Sequence, residues 1–123
     1  MNPEVIVIKP SGILDNRHST QLRQEVEAIC ADATDSSIAQ SGQPITLLID
    51  LADITFIDST GLGNLVLVFK ALQAAGGQLY LCSVGQQVRL LFELTGVDQV
   101  FQIFPDQASF EARLDNTAEI QIS

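Results

Sequence analysis

The residue types best suited to chemistry lie together in one short segment, Ile57–Gly63, with the sequence IDSTGLG. A strand-like apolar run leads into this segment, and a strongly periodic helical pattern follows it. Asp58 is therefore predicted to cap the helix, which places the hydroxyls of Ser59 and Thr60 in its first turn. The free N–H groups and the positive dipole end of that turn favour an added negative charge. Gly61 and Gly63 are expected to leave the turn uncrowded, so that the catalytic site of another protein can reach the hydroxyls. Ser59 is therefore a candidate phosphate acceptor.

The same residue types also serve as plain helix caps, and local physics alone favours that simpler interpretation of Asp58. Catalysis has little support, because Ser59 lies outside a G-x-S-x-G elbow and no G-K-[ST] follows the glycines. The sole histidine, His18, lies at a predicted helix start, where a surface position is expected. No enzyme activity, catalytic residue, metal site or cofactor is predicted.

Asp50 offers a different phosphorylation chemistry, that of a phosphoaspartate receiver domain. Such a domain needs an acidic cluster around an acceptor at a strand end. Here a lone Asp15 follows the first strand, and no lysine lies near the end of the last strands. Labelling of Asp50 by acetyl phosphate would distinguish this alternative from phosphorylation of Ser59.

The pattern of apolar residues predicts that strands and helices alternate along the chain. Short β-branched or apolar runs predict four strands, at Val5–Ile8, Ile45–Ile49, Gln78–Cys82 and Val100–Phe104. Helical spacing of apolar residues predicts helices that begin near Asn16, Asp58, Val88 and Asp106. This order predicts a single α/β domain with a four- to five-stranded mixed sheet and about four helices.

The remaining segments are interpreted as turns, loops and a tail. Pro10–Gly12 is predicted to form a turn, and Ala33–Pro44 is predicted to form a long exposed loop. Between the second strand and the second helix, Ile54 and Phe56 are expected to tuck under the domain. Residues 1–115 are assigned to the domain and residues 116–123 to a C-terminal tail.

Length, charge and cysteine content limit the possible functions. A chain of 123 residues suits one compact domain. A net charge of -9 with scattered basic residues argues against binding to nucleic acid or anionic membranes. The apolar runs are too short to cross a bilayer and the N-terminus lacks a secretion signal, so a cytoplasmic location is expected. Cys30 and Cys82 are interpreted as buried reduced thiols.

The IDSTGLG segment closely resembles the signature of the STAS family, which includes bacterial anti-sigma-factor antagonists. The resemblance extends through Ser11–Asp15 (SGILD), Gly76-Gly77 and Val88–Gly96 (VRLLFELTG), and covers nearly the whole chain. It implies a STAS-like fold. The chain departs from the family pattern in having only Met1–Pro3 before the first strand and in the long loop that follows the first helix.

Carried over position by position, the resemblance implies that Ser59 is phosphorylated by a serine kinase that is also the anti-sigma factor. Thr60 is the less favoured acceptor, and a metal-dependent serine phosphatase would remove the phosphate. Asp15 matches the acidic residue that lies beside the serine in this family, although it also suits a helix cap. The expected partner surface comprises Asp15, Asp58, Ser59, Thr60, Gly61, Leu62 and Gly63.

The function implied by this resemblance is that of an anti-sigma-factor antagonist. The unphosphorylated chain would bind the kinase and release the sigma factor, and the phosphorylated chain would not bind. The alternative is a STAS signalling or scaffold module in a partner-switching pathway that does not act on a sigma factor. In either case a monomer is expected.

Overall fold

The computed structural model describes residues 5–33 and 45–113. The strands are β1 (Val5–Ile8), β2 (Ser11–Leu14), β3 (Thr46–Asp50), β4 (Asp53–Ile57), β5 (Gln78–Cys82) and β6 (Gln102–Phe104). The helices are α1 (Asn16–Ala33), α2 (Ser59–Ala74), α3 (Gln86–Thr95) and α4 (107–113), with a 3-10 turn at Val97–Gln99. The predicted loop, apart from its first residue, and the predicted tail lie outside the described residues.

Four of the strands form one parallel sheet in the order β1-β3-β5-β6. Parallel neighbours need a crossover between them, and the helices supply it. The predicted α/β fold with about four helices is confirmed, and every strand pair within the described ranges is parallel.

The sheet is buried on both faces, as the uniformly apolar sequence of the central strand predicted. On β3, Leu47 and Ile49 belong to a core that also contains buried residues of α1, α2 and α3. Leu48, between them, points to the opposite face and packs with Phe110 of α4 in a second cluster. This alternation follows from the two-residue period of a strand.

Strands β2 and β4 form a separate parallel pair that the sequence analysis did not predict. The pairing is irregular: Gly12 lies opposite Ile54, but Ile13 lies opposite Phe56, so Thr55 is an extra residue on β4. This β-bulge turns neighbouring side chains away from simple alternation. Ile54 is buried as expected, whereas the prediction that Phe56 tucks under the domain is wrong, because its side chain is 54% exposed.

Candidate functional site

The two strands of the small sheet end side by side, and a helix begins directly after each. Leu14 at the end of β2 lies opposite Ile57 at the end of β4. Asp15 precedes α1 and Asp58 precedes α2, so both carboxylates lie at the same edge of this sheet. The Asp58 N–H donates a hydrogen bond to the Leu14 carbonyl at 3.3 Å, which ties the two helix starts together.

Asp58 caps α2 as predicted. Its backbone is extended, and its carboxylate Oδ1 accepts a hydrogen bond from the Gly61 N–H at 2.7 Å. Ser59 and Thr60 are the first two residues of α2, and both are exposed. The Ser59 hydroxyl therefore lies at the positive end of a 16-residue helix, where an added anion is stabilised.

The interior of the turn is more crowded than the sequence analysis expected. A Cβ at Gly61 would lie 2.1 Å from the Leu14 carbonyl oxygen and 2.9 Å from the Ile57 side chain. Gly61 thus permits α2 to start against β2, and it does not keep the turn open for a partner. A Cβ at Gly63 would meet nothing within 4 Å, and Gly63 is exposed.

Leu62 does not fit the predicted partner surface, because its side chain is 6% exposed and packs in the main core. The residues of the predicted set that reach the exterior are Asp15, Asp58, Ser59, Thr60 and Gly63. Burial of Leu62 follows from helical spacing, since it shares a face with the buried Leu65.

Asp15 caps α1 and binds a neighbour in its first turn. Its Oδ1 accepts the His18 N–H at 3.0 Å and lies 2.8 Å from His18 Nδ1. These hydrogen bonds from His18 hold the pKa of the Asp15 carboxyl below its usual value. His18 is exposed, as predicted.

A buried polar network between α1 and α2 was not predicted. Asn64 is 8% exposed, and its Nδ2 donates to the Ser19 hydroxyl at 2.8 Å. The Arg23 Nε donates to Asn64 Oδ1 at 2.9 Å, and Arg23 also pairs with Glu27. The sequence signal that could have predicted this network is Asn64, a polar residue among the apolar residues on the buried face of α2. The network fixes how α2 lies against α1 below the two helix starts.

A groove of about 340 Å³ runs beside Ser59, between the end of β4 and α3. Its lining combines Phe56, Asp58 and Ser59, from the end of β4 and the start of α2, with Val88 and Leu91 of α3. Asp58 is the only charged residue in the lining. The groove is therefore mainly apolar and opens next to the candidate phosphate acceptor.

Asp50 and the two cysteines are buried in the interior. Asp50 is 5% exposed, and its Oδ1 accepts the Ala52 N–H at 2.9 Å, so it stabilises the turn after β3. Cys30 and Cys82 are buried free thiols, and burial raises the pKa of each. Within 5–33 and 45–113, no cluster of His, Cys, Asp and Glu has the make-up of a metal site.

The chain belongs to the STAS domain family, whose model matches residues 1–110. This match confirms the resemblance drawn from the IDSTGLG segment, and it removes the receiver-domain interpretation of Asp50.

Two curated relatives carry more specific names. The chain is 26% identical over 112 residues to the anti-sigma F factor antagonist of Paenibacillus polymyxa, a match that covers 90% of this chain and 87% of the relative. It is 33% identical over 81 residues to the anti-sigma-B factor antagonist of Listeria monocytogenes, covering 64% of this chain and 71% of the relative.

Among solved structures, the fold is similar to that of the Bacillus cell fate determinant SpoIIAA in its phosphorylated form. The TM-score is 0.61 at 20% identity, and the match covers 91% of this chain and 93% of that chain. At this identity, the similarity establishes the shared fold. Separately, none of the helices in the described part of the chain is both long and apolar enough to cross a membrane.

Proposed function

We propose that this chain is an anti-sigma-factor antagonist controlled by reversible phosphorylation of Ser59. The unphosphorylated chain binds a serine kinase that is also an anti-sigma factor, and the bound kinase releases its sigma factor. The phosphorylated chain does not bind, and a metal-dependent serine phosphatase restores the binding form. The observation that carries this proposal is the exposed Ser59 hydroxyl at the first residue of α2, directly after the capping Asp58.

The position of Ser59 suits a modification that changes binding without unfolding the domain. A phosphate adds about -1.5 to -2 charges, and a helix N-terminus stabilises such a group by roughly 0.3–1 kcal/mol. Because Ser59 is exposed, the phosphate remains hydrated in the free chain. We therefore expect the folded domain to tolerate phosphorylation.

In a complex, the same phosphate makes the free energy of binding less favourable. It would be desolvated in the interface next to the Asp58 carboxylate, and juxtaposed like charges cost several kcal/mol. A penalty of roughly 3 kcal/mol already weakens a complex more than a hundredfold. The switch therefore needs no change of fold, only a change of charge at one position.

The relatives support this proposal, because the curated antagonists share the family and most of the domain length. The described geometry supports it through Asp15 and Asp58, whose carboxylates flank the start of the two helices at one edge. A kinase that phosphorylates Ser59 must contact this edge, so the modification and the binding surface coincide.

The test begins with the serine kinase purified from the source organism by its ability to label this chain with radioactive ATP. We expect wild type and Thr60→Ala to be labelled and Ser59→Ala to remain unlabelled. Thr60 is the matched control, because its hydroxyl is also exposed in the first turn of α2. Equal labelling of Ser59→Ala and wild type would remove Ser59 from the mechanism.

Binding provides the second half of the test. Ser59→Asp should bind the purified kinase more than tenfold more weakly than wild type, because a permanent charge imitates part of the phosphate. If the captured kinase also binds a sigma factor, and the unphosphorylated chain displaces that factor, the antagonist role is supported. A kinase that binds no sigma factor would instead favour the alternative of a STAS signalling or scaffold module.

A further inference from the structure

Two elements beside Ser59 expose large apolar side chains. Phe56, three residues before Ser59, follows the bulged Thr55 and is 54% exposed. On α3, Leu90 is 56% exposed and Leu94 is 75% exposed. Exposed large apolar side chains that lie close together on a surface, rather than scattered singly, are typical of a binding surface.

The exposed face of α3 continues the groove beside Ser59. Gln87 and Leu91 line that groove, and Leu94 follows them at helical spacing, so the three residues share one face of α3. Leu90 borders the same face, one turn from Leu94. Phe56 forms the opposite wall, since α3 packs against β4. Phe56 and Leu91 thus border the groove directly, and Leu94 extends the same face of α3 one turn beyond it.

We propose that this surface, Phe56 together with the face of α3 that carries Leu91 and Leu94, is an anchor site for an apolar side chain of the kinase that acts on Ser59. This inference rests on the proposed function and names where that partner gains its affinity. The anchor would be a Leu, Ile, Met or Phe side chain inserted into the groove. Affinity in protein interfaces is concentrated in such buried anchors.

The kinase is the favoured occupant because Ser59 and Phe56 line the same groove. A protein interface of standard size covers about 800 Å² on each partner, which is far more than the surface of one helix start. A kinase that engages the Ser59 hydroxyl therefore also covers the groove and the adjoining face of α3.

The negative charge of this chain limits which residues can flank the anchor side chain of the partner. The only charged residue in the groove lining is Asp58, and the whole chain carries a net charge of -9. A partner segment with acidic residues around its apolar side chain would be repelled. We therefore expect the anchor to be flanked by neutral or basic residues.

The anchor site also explains how one phosphate could weaken a large interface. Ser59 lies at the margin of the groove, so its phosphate would lose hydration when an apolar side chain fills the groove. A charge buried without a partner is strongly unfavourable. Phosphorylation would thus disfavour insertion of the anchor side chain, in addition to causing repulsion between like charges across the interface.

The experiment measures binding of the purified serine kinase to unphosphorylated variants by isothermal titration calorimetry. Phe56→Ser and Leu94→Ser should each weaken binding by at least about tenfold, as expected for loss of an interface anchor. The matched control is Val100→Ser, because Val100 is 43% exposed and lines a different groove with Gly77. Gly77 follows the far end of α2, about 24 Å along the helix from Ser59.

A second readout separates docking from phosphoryl transfer. In kinase assays Phe56→Ser should raise the KM for this chain with little change in kcat, because the anchor contributes binding and not chemistry. Leu94 is so exposed that Leu94→Ser tests the surface without disturbing the core.

The outcomes distinguish the two proposals. If wild type binds the kinase, and Phe56→Ser and Leu94→Ser bind as tightly as Val100→Ser does, the anchor site is refuted while the antagonist role stands. If wild type does not bind a kinase that labels Ser59, the proposed function fails and the anchor site fails with it.

Discussion

Two glycines of α2 allow a sharp test of how the switch helix is seated. Gly61→Ala would place a Cβ 2.1 Å from the Leu14 carbonyl oxygen, a backbone atom that cannot move without shifting β2. Gly63→Ala would place a Cβ in open space, in the same helix and two residues away. The same chemical change is therefore expected to have opposite effects at the two positions.

The expected magnitudes follow from the contacts. Overpacking costs about 1–3 kcal/mol, and moving α2 away would also lose the hydrogen bond from the Asp58 N–H to the Leu14 carbonyl, worth about 1 kcal/mol. Alanine returns up to about 1 kcal/mol over glycine in a helix. Gly61→Ala should thus lower the free energy of unfolding by about 2 kcal/mol, and Gly63→Ala should raise it by about 0.5–1 kcal/mol.

Urea unfolding followed by circular dichroism measures both effects. With a slope of about 2 kcal/mol per molar urea, a separation near 3 kcal/mol moves the two midpoints apart by roughly 1.5 M, with wild type between them. Equal midpoints for the two variants would refute the argument that α2 starts in direct contact with β2.

Three further predictions concern the interior and the helix caps. Asn64→Ala removes both the donor to the buried Ser19 hydroxyl and the acceptor of the Arg23 Nε hydrogen bond, and it should lower the free energy of unfolding by about 1–3 kcal/mol in urea, whereas an unchanged midpoint would mean that the network contributes nothing. Cys30 and Cys82 should react with Ellman's reagent only after unfolding, because burial raises the pKa of both thiols and blocks access; rapid labelling of the folded chain would contradict this. The folded pKa of Asp15 lies below its ordinary value of 3.8, so its stabilising effect is present above that pH and is lost as the pH falls through the folded pKa. Asp15→Asn should therefore flatten the acid side of a plot of urea midpoint against pH, and an identical acid slope would count against the cap.

The sequence predicted those elements in which pattern and local physics agree. The almost uniformly apolar sequence of Ile45–Ile49 predicts a strand that is covered on both faces, and β3 is indeed buried throughout. Helix α2 has an apolar face, a capping Asp58 and a pair of terminal glycines, of which Gly76 adopts the left-handed conformation. Each of these signals depends on neighbouring residues only.

The small sheet could not be predicted in the same way. Strand β2 is four residues long and contains Gly12, so it resembles a turn, and it pairs with a strand some 40 residues later in the chain. The bulge at Thr55 depends on that pairing, and it is why two consecutive residues, Thr55 and Phe56, are both exposed. Likewise, the need for Gly61 arises from the distant Leu14 carbonyl. These features come from tertiary contacts, which a local pattern does not contain.

The bulge in β4 has a consequence for how such a domain can change its binding properties. In β4, Ile54 and Ile57 point inward, and the two residues between them, Thr55 and Phe56, both point outward. If the extra residue at Thr55 were lost, Phe56 would alternate regularly with the two buried isoleucines and would keep its outward direction. The strand can therefore differ by one residue in length while the aromatic ring stays beside the phosphorylatable hydroxyl, so the identity of residue 56 matters more for recognition than the length of the strand.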